Sequence, residues 1–327
     1  MSCKKGLISI ILPVYNGEKY IGESVSSILN QSFKNFELLV LNDGSIDGSR
    51  DIIKGFNDPR IQLVDNEENL GLTKTLNKGL KLCSGEYVAR MDADDICLPN
   101  RLQVQFDFLE KNSEVDVVGS NFRILGTKTT SAYPDEDNKI KLKLNFENAL
   151  AHPTVMFRQA IAQKFSYPSN VLHCEDWLFW SELAANDIQF ANLNEVLLEY
   201  RMEGQNISVI NNDSKRERFL NAYHIILNRL YTAELSKEEL NLHFELCTGH
   251  VNSDVNRLKD YVEKLNLALK EKSFAANDIQ DAINQKINSC FYKTADINPR
   301  KAYEIAKKFK ILNFGKIKYL IAKKKSA

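Results

Sequence analysis

The stretch Tyr87-Val88-Ala89-Arg90-Met91-Asp92-Ala93-Asp94-Asp95 runs from mostly apolar residues into three carboxylates. Its first part is typical of the end of a buried strand. Carboxylates crowded at such a point repel one another and cost desolvation energy, so a bound cation explains them best. Asp92-Ala93-Asp94 offers the hard oxygen ligands that Mg²⁺ and Mn²⁺ take while they bridge to phosphates. Alone, the tripeptide is weak evidence, because a solvated turn that caps the next helix has the same composition.

A second acidic turn, Asn42-Asp43-Gly44-Ser45, follows the apolar run 36–41. Open α/β sheets bind ligands at the carboxyl ends of their strands, so the two acidic turns mark one candidate site. Asp43 suits a hydrogen bond from a nucleobase, although Asp-Gly is also a common turn pair and Asp a common helix cap. We therefore expect an enzyme that holds a nucleotide and a divalent metal.

Strand and helix patterns alternate outward from these turns. Apolar runs predict strands at residues 7–12, 36–41, 61–64, 87–91 and 115–118. Helical spacing predicts helices at 21–29, 45–56, 72–82 and 101–109, the second capped by Ser45 or Asp47. This alternation predicts an α/β fold with a doubly wound, mostly parallel sheet.

The regular alternation of strand and helix patterns becomes weaker after residue 121. We expect a loop at 132–138, a strand at 152–157, a helix at 177–185 and a last strand at 195–201. Residues 211–214 are the best linker candidate, because everything beyond them reads as helix. The chain therefore divides into a catalytic domain, 1–212, and a helical C-terminal region, 213–327.

Charge is unevenly distributed in this chain of 327 residues, whose formal net charge is zero. Nothing global indicates nucleic acid as a partner. Residues 300–327 carry ten Lys or Arg and one acid, Glu304, so the remainder has a net charge of −9. Apolar residues alternate with the lysines there. Two interpretations stay open: a basic amphipathic helix on a membrane surface, or a solvated terminal helix packed on the body.

Six scattered cysteines form no Cys-x-x-Cys pair, and the N-terminus shows no signal peptide. No apolar stretch reaches the ~20 residues that span a bilayer. We expect free thiols and a cytoplasmic location.

Two further segments lie near predicted strand ends. Pro13-Val14-Tyr15-Asn16-Gly17 places an aromatic ring where it can stack on a base, although a simple turn has the same residues. It matches neither a dinucleotide-binding glycine fingerprint nor a P-loop. In Asn69-Leu70-Gly71-Leu72-Thr73-Lys74, the lysine can approach a diphosphate or be merely solvated.

Glu175-Asp176 precedes two tryptophans, Trp177 and Trp180. Adjacent carboxylates in apolar surroundings can raise one pKa, which suits a general base. An ordinary acidic helix start, favoured by the helix dipole, is an equally good interpretation.

In order, these elements resemble family 2 glycosyltransferases, the inverting GT-A type, of the kind that builds bacterial surface polysaccharides. The similarity covers residues 7–210. The matching segments are Ser9-Ile10-Ile11-Leu12-Pro13-Val14-Tyr15-Asn16, Ile28-Leu29-Asn30-Gln31-Ser32, Asn42-Asp43-Gly44-Ser45, Asn69-Leu70-Gly71, Asp92-Ala93-Asp94-Asp95, His152-Pro153-Thr154, Glu175-Asp176 and Tyr200-Arg201.

The resemblance implies a set of residues that bind the nucleotide sugar. These are Pro13, Tyr15, Asp43, Asn69, Lys74, Asp92 and Ala93. Asp92 would contact the ribose, and Asp94, with Asp92, would bind Mn²⁺ or Mg²⁺. The donor would be a UDP-sugar.

The resemblance also implies the catalytic residues: Asp176 would deprotonate the acceptor hydroxyl, and Glu175 would orient the acceptor or the base. The acceptor would be a glycan or a polyprenyl-diphosphate-linked sugar. An enzyme with such an acceptor would sit on the inner face of the cell membrane.

One position departs from the family pattern. The loop after Arg201 often carries a histidine where this chain has Glu203, which is either a carboxylate ligand or simply exposed. Two other functions are alternatives: a sugar nucleotidyltransferase, whose Gly-rich basic loop is missing after the first strand, and a non-catalytic nucleotide-sugar-binding protein.

Overall fold

The computed structural model describes residues 3–169, 174–202, 213–230 and 235–326. The chain forms two compact units. The first comprises residues 1–141 and 148–211, and the second comprises residues 142–147 and 212–327. The first unit contains the sheet, and the second is helical.

An eight-stranded sheet is the framework of the first unit. Its strands are β1 Lys4–Val14, β2 Phe36–Asn42, β3 Ile61–Asp65, β4 Gly85–Arg90, β5 Ile96–Cys97, β6 Val117–Ile124, β7 Met156–Arg158 and β8 Phe190–Tyr200. Their lateral order is β3-β2-β1-β4-β7-β6-β8-β5. Strands β1 to β4 pair in parallel, β7 runs antiparallel to β4 and β6, and β5 runs antiparallel to β8. The predicted α/β fold is confirmed.

Helices alternate with these strands. In chain order they are α1 Ile21–Leu29, α2 Ser49–Lys54, α3 Leu72–Leu82, α4 Arg101–Lys111, α5 Asp137–Leu144, α6 Gln159–Lys164 and α7 Glu175–Ala184. Every residue of β2 is buried, as expected for a central parallel strand. β1 and β2 align in register from Ile8–Phe36 to Val14–Asn42, so their carboxyl ends lie side by side at one edge of the sheet.

The helical unit contains the remaining elements. These are α8 Asp213–Leu230, α9 Lys237–Thr248, α10 Val255–Glu271, α11 Ala276–Ile297, α12 Pro299–Lys308 and α13 Phe314–Ser326. Within the described ranges, no helix combines the length and the apolar character needed to cross a bilayer. All six cysteines are free thiols, as predicted.

The predicted helix at 45–56 is wrong at its start, because α2 begins at Ser49. Residues 45–48 are instead tied to the loop after β1. The Ser45 hydroxyl accepts from the Asn16 amide at 3.0 Å and so does not cap the helix. Asp47 accepts from the Ser49 amide, also at 3.0 Å.

Other boundaries also differ from the predictions. Part of the predicted loop at 132–138 begins α5, and the strand predicted at 152–157 starts only at β7, after a 3₁₀ turn, His152–Thr154. The strand predicted at 115–118 is β6, which begins at Val117, and the last strand is the longer β8. Within the predicted linker, 211–212 lie outside the described residues and 213–214 open α8. Short elements such as β5 and α6 carry too little periodicity to be predicted.

Candidate active site

The loops after β1 and β2 are fastened to each other. The Gly17 amide donates to the Ser49 hydroxyl at 2.8 Å, and the Ile46 amide donates to Asn16 Oδ1 at 3.0 Å. Asn16 has a φ of 50°, a left-handed conformation that asparagine tolerates better than most residues. Pro13 is buried in β1, whereas Tyr15 is 50% exposed at the strand end. The Tyr15 ring is therefore accessible for stacking.

Asp43 is buried directly after β2 and organises the next loop. Its carboxylate accepts from the backbone amides of Leu70 and Gly71, both at 2.9 Å, and from Asn66 Nδ2 at 2.8 Å. At Gly44, an added Cβ would lie 2.7 Å from the Asn69 nitrogen, so only glycine allows this close approach. Asp43 therefore fixes the loop that carries Asn69, and its contact with a nucleobase stays a prediction.

Asn69 and Lys74 are both exposed near this loop. Asn69 Oδ1 accepts from the Gly71 amide at 3.0 Å, and Lys74 lies in the first turn of α3. Asn69 thus lies in the loop that Asp43 holds, and Lys74 follows that loop in α3. Their contact with a nucleotide sugar stays a prediction.

The carboxylates of Asp92, Asp94 and Asp95 form one acidic cluster after β4. One oxygen from each lies within 4.8 Å of the others. Burial, and then the neighbouring carboxylates, raise the pKa of Asp94 to about 6 and that of Asp95 to about 9. Among the described residues, the buried Oδ2 atom of Asp95 has no hydrogen-bond partner. An all-oxygen cluster that is short of positive charge fits a divalent cation such as Mg²⁺ or Mn²⁺.

Arg90, the last residue of β4, pairs with the first member of this cluster. Its Nη1 and Nη2 atoms lie 2.6 Å and 2.5 Å from the two carboxylate oxygens of Asp92. Arg90 is only 3% exposed, and Arg101 Nη2 donates to its carbonyl oxygen at 2.8 Å. Because Arg90 engages both oxygens of Asp92, Asp94 is better placed than Asp92 to accept a metal ion. Ala93 separates the two aspartates.

Arg201 closes the other side of the acidic cluster. Its amide donates to Asp95 Oδ1 at 2.9 Å, and its Nε donates to the carbonyl of Asp94 at 2.8 Å. Its guanidinium pairs with Glu23 at 2.6 Å and lies over the ring of Tyr20. Arg201 therefore fixes the conformation of the acidic turn. Glu203, two residues further, lies outside the described residues.

Asp176 opens α7 and is half-buried. Its Oδ1 accepts from the Trp177 amide at 2.7 Å, and its Oδ2 accepts from Asn148 Nδ2 at 2.6 Å. Burial, and then the adjacent carboxylate of Glu175, raise the pKa of Asp176 to about 7. A carboxyl group with such a pKa takes up and releases a proton near neutral pH.

A single buried cation acts on both acidic groups. The guanidinium of Arg90 lowers the pKa of Asp94 and also that of Asp176, although burial outweighs it in each case. The acidic cluster and the candidate base therefore lie around one positive charge. Sequence reasoning missed Arg90, although a charged residue inside an apolar strand run was a usable signal.

His152 and Thr154 are buried beside this site. His152 Nε2 lies 2.9 Å from the Tyr167 hydroxyl, and burial, then Arg90, lower the pKa of its imidazole. The Thr154 hydroxyl accepts from the Ser120 amide at 3.1 Å. These contacts give the matching segment His152-Pro153-Thr154 a structural role.

The sheet and its helices form a GT-A-type fold, and the sequence comparisons assign the protein to a family. Residues 9–174 match the profile described as Glycosyl transferase family 2. This protein belongs to that family. An uncharacterized glycosyltransferase of Haemophilus influenzae is 35% identical over 227 residues, which cover 64% of this chain and 70% of the relative. The Escherichia coli UDP-Glc:alpha-D-GlcNAc-diphosphoundecaprenol beta-1,3-glucosyltransferase WfgD is 34% identical, over 62% of this chain and 79% of the relative.

Solved structures show the same fold. Staphylococcus aureus TarS 1–349 in complex with UDP-GlcNAc matches with a TM-score of 0.62 and 21% identity, over 88% of this chain and 91% of TarS 1–349. The mannosyltransferase PcManGT of Pyrobaculum calidifontis, in complex with GDP-Man and Mn²⁺, matches with a TM-score of 0.51 and 16% identity. That match covers 97% of this chain and 85% of PcManGT.

Proposed function

We propose that this glycosyltransferase moves a hexose or N-acetylhexosamine from a UDP-sugar to a hydroxyl of a surface-glycan acceptor, with inversion at C1. The observation that carries the proposal is the pairing of two unlike acidic groups around Arg90. Asp176 has a pKa of about 7 and suits a base, whereas the acidic cluster suits a cation. The catalytic residues lie within the proposed catalytic domain, 1–212.

The donor is bound at the carboxyl ends of β1, β2 and β4. Tyr15 stacks on the uracil ring, and Pro13 and Asp43 line the pocket that holds this nucleobase. Asn69, Lys74 and Ala93 complete the nucleotide-sugar site, and Asp92 contacts the ribose. The exposure of Tyr15 and its position beside Asp43 support this arrangement, as does the fold shared with TarS, which was solved with UDP-GlcNAc.

Asp94 would hold the divalent metal, with Asp92 as the second ligand. The buried Asp95 oxygen without a partner among the described residues and the raised pKa of Asp94 support Mn²⁺ or Mg²⁺ as the ion that this cluster binds. A metal ion bound there would supply positive charge for the diphosphate leaving group. PcManGT, which shares the fold, was solved with Mn²⁺.

The transfer is a single displacement. Asp176 accepts the proton of the acceptor hydroxyl while that oxygen attacks C1 of the sugar, and Glu175 orients the acceptor or the base. The bond between C1 and the phosphate oxygen breaks, and its electron pair leaves with the nucleoside diphosphate. Attack from the face opposite the leaving group converts an α-linked donor into a β-linked product.

The acceptor is a polyprenyl-diphosphate-linked sugar, and the enzyme works from the cytoplasm on the inner face of the membrane. The relative WfgD acts on such a lipid-linked sugar. In α13, Phe314 is 72% exposed, Ile317 40% and Ile321 53%. This spacing puts the three apolar side chains on one side of the helix, beside the exposed Lys318. The arrangement favours a basic, apolar surface that lies on anionic lipid.

The test is a donor panel. Purified protein is incubated with Mn²⁺, an undecaprenyl-diphosphate-linked sugar and UDP-, GDP- or dTDP-sugars, and released nucleoside diphosphate is measured. We expect release from UDP-sugars in the wild type and in Asp51→Asn, an exposed-acid control, but not in Asp94→Asn or Asp176→Asn. Nucleotide binding with no release from any donor would contradict the proposal.

A further inference from the structure

Asp176 receives a hydrogen bond from a residue far away in the chain. Asn148 Nδ2 donates to its Oδ2 at 2.6 Å, while the Trp177 amide occupies the other carboxylate oxygen. The two donors bind different oxygens, which fixes the plane of the carboxylate. Each carboxylate oxygen has a second lone pair, so Oδ2 keeps an acceptor position for a substrate hydroxyl.

The backbone that carries Asn148 is held rigidly. Ala149 and Leu150 are fully buried. Asn192 Nδ2 donates to the Ala149 carbonyl at 3.1 Å, and the Thr154 hydroxyl donates to the Ala151 carbonyl at 2.8 Å. Asn148 Oδ1 faces the Leu150 amide at 3.4 Å, which directs its NH₂ group towards Asp176. The orientation of this amide is therefore determined by the fold.

We propose that Asn148 is a positioning residue for the catalytic base: it holds the Asp176 carboxylate in one orientation and stabilises its ionised form. This inference rests on the proposed role of Asp176. A neutral donor suits the task, because it favours the charged carboxylate without forming an ion pair that would suppress its basicity. A carboxylate at position 148 would instead repel the ionised form of Asp176 and raise its pKa.

Among the described residues, two other charged groups change the pKa of Asp176 most strongly. Glu175 of α7 raises its pKa, and Arg90 of β4 lowers it. Burial raises the pKa of the Tyr167 phenol, in the segment after α6, and Asp176 adds to this rise. None of these groups is removed in Asn148→Ala, so a shift in the pH profile of that variant reports on the lost Asn148 hydrogen bond, whereas Asn148→Asp also adds a like charge.

The experiment compares Asn148→Ala and Asn148→Asp with the wild type. Hydrogen bonds to charged groups are strong enough that we expect kcat to fall about tenfold or more in Asn148→Ala. The acidic limb of the kcat/KM profile should move up by about one pH unit in Asn148→Ala, and further in Asn148→Asp. UDP affinity should stay close to wild type. Asn186→Ala, an exposed amide at the other end of α7, is the matched control.

A double variant separates this inference from the proposed function. In an Asp176→Asn background, Asn148→Ala should cause no further loss of residual activity, because its target is gone. Independent, multiplying losses would overturn the positioning role, as would an acidic limb that stays in place in both single variants. Full activity of Asp176→Asn alone would instead refute the proposed base.

Discussion

Glu37, at the amino edge of the sheet, and the carboxylates of Asp94, Asp95 and Asp176 are buried in opposite ways. At the amino edge, Glu37 of β2 accepts from the Ser9 hydroxyl at 2.5 Å and from the Ser84 amide at 2.8 Å. Burial raises the pKa of Glu37, but these hydrogen bonds outweigh it and leave the pKa below its usual value. After β4, burial and like charges raise the pKa values of Asp94 and Asp95, and they do the same for Asp176 in α7.

The number of hydrogen-bond donors around each carboxylate distinguishes a structural role from a functional one. A carboxylate with enough donors stabilises the fold and needs nothing else. Carboxylates left short of positive charge store unfavourable energy, which a metal ion, a substrate or a proton can relieve. The carboxyl edge is therefore the part of the molecule prepared for a ligand.

The largest expected effect is that of Asp176→Asn on turnover. Loss of a general base lowers rates by about 10²–10⁴-fold, and we expect kcat to fall by that amount. Glu37→Gln, at the other edge, should leave kcat per folded molecule unchanged. Steady-state kinetics on both variants measure the contrast. An equal loss of kcat in the two would erase the distinction between the edges.

The pH dependence should follow the raised pKa of Asp176. The base must be ionised, so kcat/KM should be constant above pH 7 and fall about tenfold per pH unit below it. Rates measured between pH 5 and 9, with the fold monitored by circular dichroism, test this. An acidic limb of the kcat/KM profile near pH 4 would show that the pKa of the Asp176 carboxyl group is not raised.

Tyr15→Ala should weaken donor binding. Stacking of a base on an aromatic ring contributes about 1–3 kcal/mol, so the donor KM should rise by about tenfold or more while kcat changes little. Tyr303→Ala, a similarly exposed tyrosine in α12, is the control. An unchanged KM would place the nucleobase elsewhere.

Stability should respond with opposite signs at the two edges. The Glu37 pKa is lowered, so its stabilisation is present above about pH 4.5 and lost as pH falls. The Asp176 pKa is raised, so stability is lost as pH rises towards 7.

At pH 8 without metal, Glu37→Gln should lower the free energy of unfolding by about 1–3 kcal/mol. Asp176→Asn should raise it by about 1 kcal/mol. Chemical denaturation of both variants measures these changes in the free energy of unfolding. Changes of the same sign would contradict the contrast between Glu37 and Asp176.

Local sequence patterns were enough to predict most of the carboxyl edge of the sheet. Apolar runs located the central strands, and the strand ends then placed Asp43 and Asp94 at a common edge. The Asn16–Ser45 contact, which delays α2, depends on two loops meeting and has no local signal. The same holds for Asn148, which meets Asp176 across 28 positions of the chain.

The proposed metal dependence of the site at the carboxyl edge is tested most directly by a Mn²⁺ titration followed by electron paramagnetic resonance. In the presence of UDP, the wild type and Glu37→Gln should each bind one ion, whereas Asp94→Asn should bind at least tenfold more weakly, because a carboxylate ligand is lost. Equal Mn²⁺ affinity in the wild type and Asp94→Asn would contradict the account.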